Sequence, residues 1–178
     1  AGVPTHFVRQ LNGTEVLVKS MRMFPIESVV RNRAAGSLCR RLGVESLQVL
    51  KPALQEFFLK DDALGDPLIG ETHILHFGWA EQKHVDAMKH WTLKINEVLA
   101  ALCDAAGLLL VDAKFEFGLC EGEVVLSDEI SPDSCRILDR STLRSLDKDV
   151  FRQGEGDVLL AYIELAKRLG ITLPMACS

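Results

Sequence analysis

Two familiar phosphate-binding loops are missing from this sequence. It has no G-x-x-x-x-G-K-[ST] run and no G-x-G-x-x-G run, which excludes a P-loop and a dinucleotide-binding fingerprint. Paired cysteines are missing too. The five at 39, 103, 120, 135 and 177 are scattered, odd in number and without a C-x-x-C, so reduced thiols fit better than a disulfide scaffold or a cysteine zinc site. No apolar run approaches the roughly 18 to 20 residues that span a bilayer, and no stretch reads as a signal peptide. Net charge is −5 with acids and bases interspersed, so the basic surface of a nucleic-acid or anionic-membrane binder is not expected. Internal repeats and low-complexity tracts are also lacking.

What is present is a chain of 178 residues, 48% hydrophobic, enough for one medium domain or two small lobes around a core. The segment THFVRQLNGTEVLVKSM predicts two short strands around Leu11-Asn12-Gly13-Thr14, because Asn-Gly favours the positive φ angles of a tight hairpin. A third strand is expected over Pro25 to Arg31. A short helix, SLCRRLG, should follow, with Ser37 as its cap and Gly43 as its stop. ALQEFFLK reads as a strand, and an Asp/Gly/Pro-rich loop runs from Asp61 to Gly70. The clearest helix covers Glu81 to Ala106, with Val85, Met88, Ile95, Leu99 and Leu102 in helical spacing. A strand, a Glu121-Gly122-Glu123 turn and a return strand GEVVLSDEI make a second hairpin. A last helix should run from about Asp157 to Leu169, with Val158, Tyr162, Leu165 and Leu169 on one face. No regular βαβ rhythm emerges, so the fold class is α+β.

Chemistry concentrates in a few stretches. LVDAKFEFG, residues 110–118, alternates an apolar row (Val111, Ala113, Phe115, Phe117) with a charged one (Asp112, Lys114, Glu116). If the second hairpin pairs symmetrically about Gly122, Glu116 faces Asp128. Two opposed carboxylates repel unless a cation sits between them, and hard oxygens of this kind suit Mg²⁺. The plainer alternative is a solvated hairpin face.

FPIESVVRNRAAGS places Glu27 and Arg31 on one strand face and leads to Gly36-Ser37 at a helix start. An arginine and a Ser hydroxyl arriving together suit a phosphate; two surface arginines beside a capped helix are the alternative. Asp133 and Arg136 lie three apart after Asp128-Glu129, as an anion contact or an intraturn ion pair. Lys60 precedes an acidic cluster of Asp61, Asp62 and Asp66. His73 and His76 have no evident third ligand for zinc.

Taken together, FPIESVVRNRAAGS and LVDAKFEFG resemble the two characteristic motifs of the SAICAR synthetase family. FFLKDDALGDP, VVLSDEISPDSCR and LDKDVFRQ resemble further segments of that family, in its order. The resemblance implies a two-lobed SAICAR-synthase-like α+β fold, related to ATP-grasp and kinase-like nucleotide binders, with the active site between lobes. It divides the chain into residues 1–22, the remainder of a small ATP-binding lobe, and 23–178, a larger substrate- and nucleotide-binding lobe. It implies a cytoplasmic, amide-forming ligase of purine biosynthesis. Such an enzyme joins L-aspartate to the carboxylate of carboxyaminoimidazole ribonucleotide (CAIR) with MgATP, through an acyl phosphate. The expected partners are these small molecules, with room for a homo-oligomer.

Carried over residue by residue, Arg31, Ser37 and Arg136 resemble the grip on the CAIR 5′-phosphate. Met23, Lys60, Glu116 and Asp128 resemble ATP contacts, and Glu27, Glu116 and Asp128 are the expected Mg²⁺ acids. Glu27, Asp112, Lys114 and Asp133 are the expected catalytic residues; Asp66, Lys148 and Asp149 are further substrate candidates. Family members also carry a leading Gly-Lys-containing segment that covers the ATP phosphates, and AGVPTHF resembles a position just after it. GVESLQVL and QGEGD depart from the family pattern in minor ways. A non-catalytic CAIR- or nucleotide-binding module that has lost the ATP grip is the alternative. A kinase acting on another phosphorylated substrate is a third reading.

Overall fold

Residues 2–153 and 156–172 are described by a computed structural model. Cys177 and the Gly154-Glu155 part of QGEGD lie outside the described residues. The first hairpin forms: β1 (Phe7–Gln10) pairs antiparallel with β2 (Val16–Val18) as a separate two-stranded sheet, exposed along its length. The tight positive-φ turn expected at Asn12-Gly13 does not form; the Asn12 Oδ1 instead accepts from Thr14 N at 2.9 Å and Glu15 N at 3.0 Å and closes a longer loop.

The main sheet has six strands. β3 (Arg22–Arg33) lies between β4 (Val49–Leu59) and β6 (Leu108–Cys120), and β5 (Leu68–Ile69) extends the β4 edge. On its far side β6 takes two partners in succession. β8 (Cys135–Asp139) pairs with its first half and β7 (Glu123–Ser127) with its second, all antiparallel. Between the two, the Lys114 N–H donates to Ser134 O at 2.8 Å, so the segment joining β7 to β8 is pinned at the middle of β6.

The helices are α1 (Ser37–Leu42), α2 (Glu71–His76), α3 (Gln82–Ala105), α4 (Asp149–Gln153) and α5 (Val158–Arg168). The stretch expected as loop from Asp61 to Gly70 thus holds a 3₁₀ turn and β5, and α2 starts directly after it. Helix α3 covers one face of the sheet, and the alternation of β3 and β6 supplies that face. Phe24, Ile26 and Val30 from β3, with Ala113, Phe115 and Phe117 from β6, are buried in one core with Val85, Met88 and Ile95 of α3.

Leu102, expected in that stripe, is 54% exposed. At that turn Cys103 is the buried residue. Further up the helix, polar residues of α3 meet polar residues of β3. Ser28 and Thr92, both fully buried, share a hydrogen bond of 2.8 Å, and the Asn32 and Asn96 amides bond reciprocally at 2.8 and 2.9 Å. Satisfied pairs of this kind fix how the helix sits on the sheet, since either member alone would be a buried unpaired polar group. Burial pushes the Cys103 thiol up to about 11 and the Cys135 thiol to about 12, which keeps both protonated and unreactive.

Asp139, at the end of β8, ties α5 to the sheet. Its Oδ1 accepts from Ser141 N at 2.9 Å, Ser141 Oγ at 2.6 Å, Thr142 N at 2.7 Å and Thr142 Oγ1 at 2.9 Å. Its Oδ2 accepts from Arg168 Nη1 at 2.5 Å. The Ser141 hydroxyl, the Thr142 amide and Arg168 hold this carboxyl well below the usual carboxylate range. A depressed folded pKa contributes stability that is present above the unfolded value near 4 and lost as pH falls through the folded value. Asp139→Asn is therefore expected to lower Tm at neutral pH, with the gap to wild type narrowing below about pH 4. Thermal melts across pH check it; a gap that does not narrow on acidification would contradict this role.

Candidate active site

The sheet face away from α3 carries the charged alternation of β3 and β6, and the antiparallel register sorts it into rows. One row runs Phe58, Glu27, Glu116, Ser127 across β4, β3, β6 and β7. The next is Glu56, Val29, Lys114, and the third Leu54, Arg31, Asp112, Arg136, ending on β8. Glu116 thus faces Ser127 and not Asp128. The β6–β7 turn holds two residues, Glu121 and Gly122, with φ of 52° and 88°, so the pairing is displaced by one from symmetry about Gly122. An opposed acid pair does exist, but it is Glu27 with Glu116, across the β3–β6 ladder.

Two acids facing each other in a buried row need compensating charge. Lysines supply it. Lys114 Nζ donates to Glu27 Oε1 and lies 3.8 Å from Glu116 Oε1. Lys60 Nζ reaches both Glu116 oxygens at 2.6 Å. The bond to Glu116 raises the Lys60 pKa against the opposing effect of burial, and the charges of Glu116, Asp128 and Glu27 add to the rise. Asp128 itself follows β7 with φ 59°, a left-handed conformation that Asp tolerates better than most residues.

The third row is an arginine clamp. Asp112 Oδ2 accepts from Arg31 Nη1 at 2.8 Å and from Arg136 Nη1 at 2.6 Å, so one carboxylate oxygen holds two guanidiniums together. Arg136 Nε also donates to Asp149 Oδ2 at 2.6 Å. Burial pushes the Asp112 carboxyl up even with Arg136 and Arg31 beside it. Burial opposes the charge on Arg136, yet Asp112 and Asp149 together keep its pKa above the ordinary value. No ion pair of Arg136 with Asp133 forms. Asp133 accepts from the Tyr162 hydroxyl at 2.6 Å and lies 3.7 Å from Lys148 Nζ, because β8 turns Arg136 inward toward Asp112.

Ser37 is not the cap of α1. Gly36 is, at φ 55° and ψ −123°, a conformation that needs glycine. The Ser37 hydroxyl instead accepts from Arg31 Nη2 at 3.2 Å and Arg41 Nη1 at 3.0 Å. With six residues, α1 contributes through this side chain and not as a helix end. Gly36 also makes room: a Cβ there would stand 3.1 Å from Arg136 Nη2.

A cleft of about 1080 Å³ opens over this face. Of the residues expected from sequence it is lined by Glu27, Arg31, Ser37 and Asp66 on one side. Asp112, Lys114 and Asp128 form its floor and end, and Asp133, Arg136, Lys148 and Asp149 its other wall. A smaller pocket of about 370 Å³ lies beside it, lined by Met23, Lys60 and Glu116 with Phe24, Pro25 and Asp62. Gly118 opposite Met23 keeps that region open to sulfur, since a Cβ there would fall 2.4 Å from Met21 Sδ and 3.2 Å from Met23 Sδ.

Two adjoining pockets thus share one charged sheet. Among the described residues no group of three or more His, Cys, Asp or Glu could hold a metal ion by itself, and His73 is engaged through Nδ1 with Gly70 N. Glu56 and Arg41 escaped the sequence reading, although an acid between Leu54 and Phe57 in an apolar strand was a usable signal for Glu56.

Arginines clamped at one end of a cleft, with paired lysines and acids at the other, mark an α+β protein suited to phosphorylated small molecules. The comparisons make this specific. Residues 1–169 match the SAICAR synthetase family. A phosphoribosylaminoimidazole-succinocarboxamide synthase of Acidithiobacillus ferrooxidans is 55% identical over 98% of this chain and 73% of its own length. The Pseudomonas aeruginosa protein of that name is 58% identical over 97% of this chain and 73% of its own. Among solved structures, the Ehrlichia chaffeensis synthase superposes with a TM-score of 0.92 at 41% identity, over 96% of this chain and 74% of that one. A SAICAR synthetase in complex with ADP gives 0.93 at 41% identity, over 97% and 74%. The chain belongs to the SAICAR synthetase family of ATP-dependent ligases in purine biosynthesis. Among the described residues, no helix is long and apolar enough to cross a membrane.

Gly36→Ala should shift the Arg136 guanidinium within the clamp and strain the backbone. With ribose 5-phosphate as probe, calorimetric titration is expected to show affinity reduced by about tenfold, the loss of one charge-assisted contact. Unchanged affinity would remove Arg136 from the anion grip.

Proposed function

We propose that this cleft ligates L-aspartate to the carboxylate of CAIR with ATP, giving SAICAR, ADP and phosphate. The observation that carries this reading is the juxtaposition of the Arg31–Asp112–Arg136 clamp with the Lys60–Glu116 and Lys114–Glu27 pairs on one sheet face. A substrate with a phosphate at one end and a carboxylate at the other spans those two regions.

In this reading Arg31, Ser37 and Arg136 hold the 5′-phosphate of CAIR, and Asp112 keeps the two guanidiniums in place. Lys114 lies toward the imidazole carboxylate. Met23 borders the adenine in the smaller pocket, and Lys60 stands beside the ATP phosphates. The γ-phosphoryl group passes from ATP to a carboxylate oxygen of CAIR, breaking the bond to ADP. The aspartate amine then attacks the acyl carbon, phosphate leaves, and the amine gives up a proton. Asp133, held by the Tyr162 hydroxyl at the cleft rim, is placed to take that proton. Asp66, Lys148 and Asp149 border the aspartate. Lys60 and Lys114 stabilise charge on the transferring group through donors already oriented by Glu116 and Glu27.

Glu27, Glu116 and Asp128 offer hard oxygen donors that suit Mg²⁺, which usually takes one or two carboxylates and completes its shell with substrate phosphates and water. When bound, it would neutralise charge on the transferring phosphoryl group. The absence of a three-acid cluster among the described residues fits a metal that arrives with the nucleotide. Residues 1–22 belong, in this account, to a small lobe over the ATP, in keeping with their separate two-stranded sheet. The ATP requirement suits the cytoplasm.

ADP release tests the function. It is expected only when MgATP, CAIR and L-aspartate are all present, each omitted in turn. Release without aspartate would favour a kinase, and CAIR binding without any release would favour a non-catalytic module. Asp128→Asn is expected to impair MgATP use while sparing CAIR binding; equal loss of both would take Asp128 out of the nucleotide site.

A further inference from the structure

Beside the clamp, four side chains close a ring of hydrogen bonds. Arg31 Nε donates to Glu56 Oε2 at 2.6 Å, and Arg31 Nη2 to Ser37 Oγ at 3.2 Å. Arg41 Nη1 donates to the same Oγ at 3.0 Å, and Arg41 Nη2 donates to Glu56 Oε1. The ring joins β3, β4 and both ends of α1. Arg41 lies over the Phe58 ring, 5.5 Å from its centroid, and the Glu56 side chain is only 9% exposed.

The donor count at Ser37 has a consequence. A serine hydroxyl has one proton to give and two lone pairs to receive with. Both arginines donate to Oγ, so both lone pairs are engaged and the hydroxyl proton must point away from them. Ser37 lines the cleft, and in this state it can add only a donor to it. A phosphate ester dianion offers only acceptors. Glu56 meanwhile holds the Nε edge of Arg31 and Asp112 holds Nη1, so the guanidinium plane is fixed from two sides.

We propose that Glu56 and Arg41 are positioning residues for phosphate recognition: they lock the Arg31 plane and make Ser37 an obligate donor toward the cleft. This rests on the assignment of Arg31, Ser37 and Arg136 to the 5′-phosphate. Neither residue needs to touch substrate. The role predicts selectivity for a fully ionised phosphate, which accepts from every donor presented, over a hydroxyl at the same position.

The test is calorimetric binding of CAIR and of the nucleoside lacking the 5′-phosphate. Wild type would be compared with Glu56→Gln, Arg41→Met, Arg41→Lys and Ser37→Ala. Glu56→Gln and Arg41→Met are expected to weaken CAIR by about fivefold to twentyfold, from the loss of oriented charge-assisted donors, and to leave the nucleoside unchanged. Arg41→Lys should recover part of the loss. Arg41→Met sits at the outer side of the ring, so it carries the test if Glu56→Gln fails to fold. Equal weakening of both ligands, or no weakening of CAIR, overturns the positioning role. Ser37→Ala separates the two levels. If it weakens CAIR while Glu56→Gln and Arg41→Met do not, only the positioning role falls. If Ser37→Ala also leaves CAIR binding intact, the phosphate assignment falls with it.

Discussion

One carboxylate oxygen, Asp112 Oδ2, organises this site. It accepts from Arg31 on β3 and from Arg136 on β8, and it sits on the strand between them. Breaking it would leave two guanidiniums together with no charge between them, a severe penalty in a buried setting. Asp149 and Glu56 satisfy the outer edges of the same arginines, and Arg41 also pairs with Glu56, so three acids meet three arginines without a ligand. Such a site is rigid before substrate arrives, which lowers the ordering cost of binding.

The rest of the fold serves this arrangement. Antiparallel register places Arg31, Asp112 and Arg136 in one row and Glu27 and Glu116 in another. The change of partner along β6, from β8 to β7, leaves room for the segment that carries Asp128 and Asp133. On the opposite face, the Ser28–Thr92 and Asn32–Asn96 pairs fix α3 against the same two strands. The polar face can therefore be dense in charge because the opposite face supplies most of the core, with only the small cluster of Ala35, Val111 and Leu138 apart from it.

Much of this was legible in the sequence. Alternation from Asp112 to Phe117 fixed which side chains share a face, and the same parity argument joined Glu27 to Arg31. Val111 departs from its expected row and packs with Ala35 and Leu138 apart from the main core, because the ladder shifts register between Leu110 and Asp112. Every residue expected at the site lines one of the two adjoining pockets. What failed did so where local pattern gives way to tertiary pairing. The Glu27–Glu116 opposition depends on a register between strands 89 positions apart in the chain, which no local signal sets. The Glu116–Asp128 pairing failed by one residue because two consecutive positive φ angles close the turn in two residues rather than three. Ser37 has the chemistry of a cap, but Arg31 and Arg41 compete for its oxygen and Gly36 takes the capping conformation. Leu102 matched the helical period yet is exposed, the neighbouring Cys103 being the residue that turns inward at that end of α3.

The central claim is that the Arg31–Asp112–Arg136 row is the seat of a substrate phosphate. A crystal structure of the protein with CAIR bound tests it most directly. The account predicts the 5′-phosphate within hydrogen-bond distance of Arg31, Ser37 and Arg136, with Asp112 still bridging the two arginines. A phosphate found instead against Lys60 and Lys114, with the clamp untouched, would contradict it.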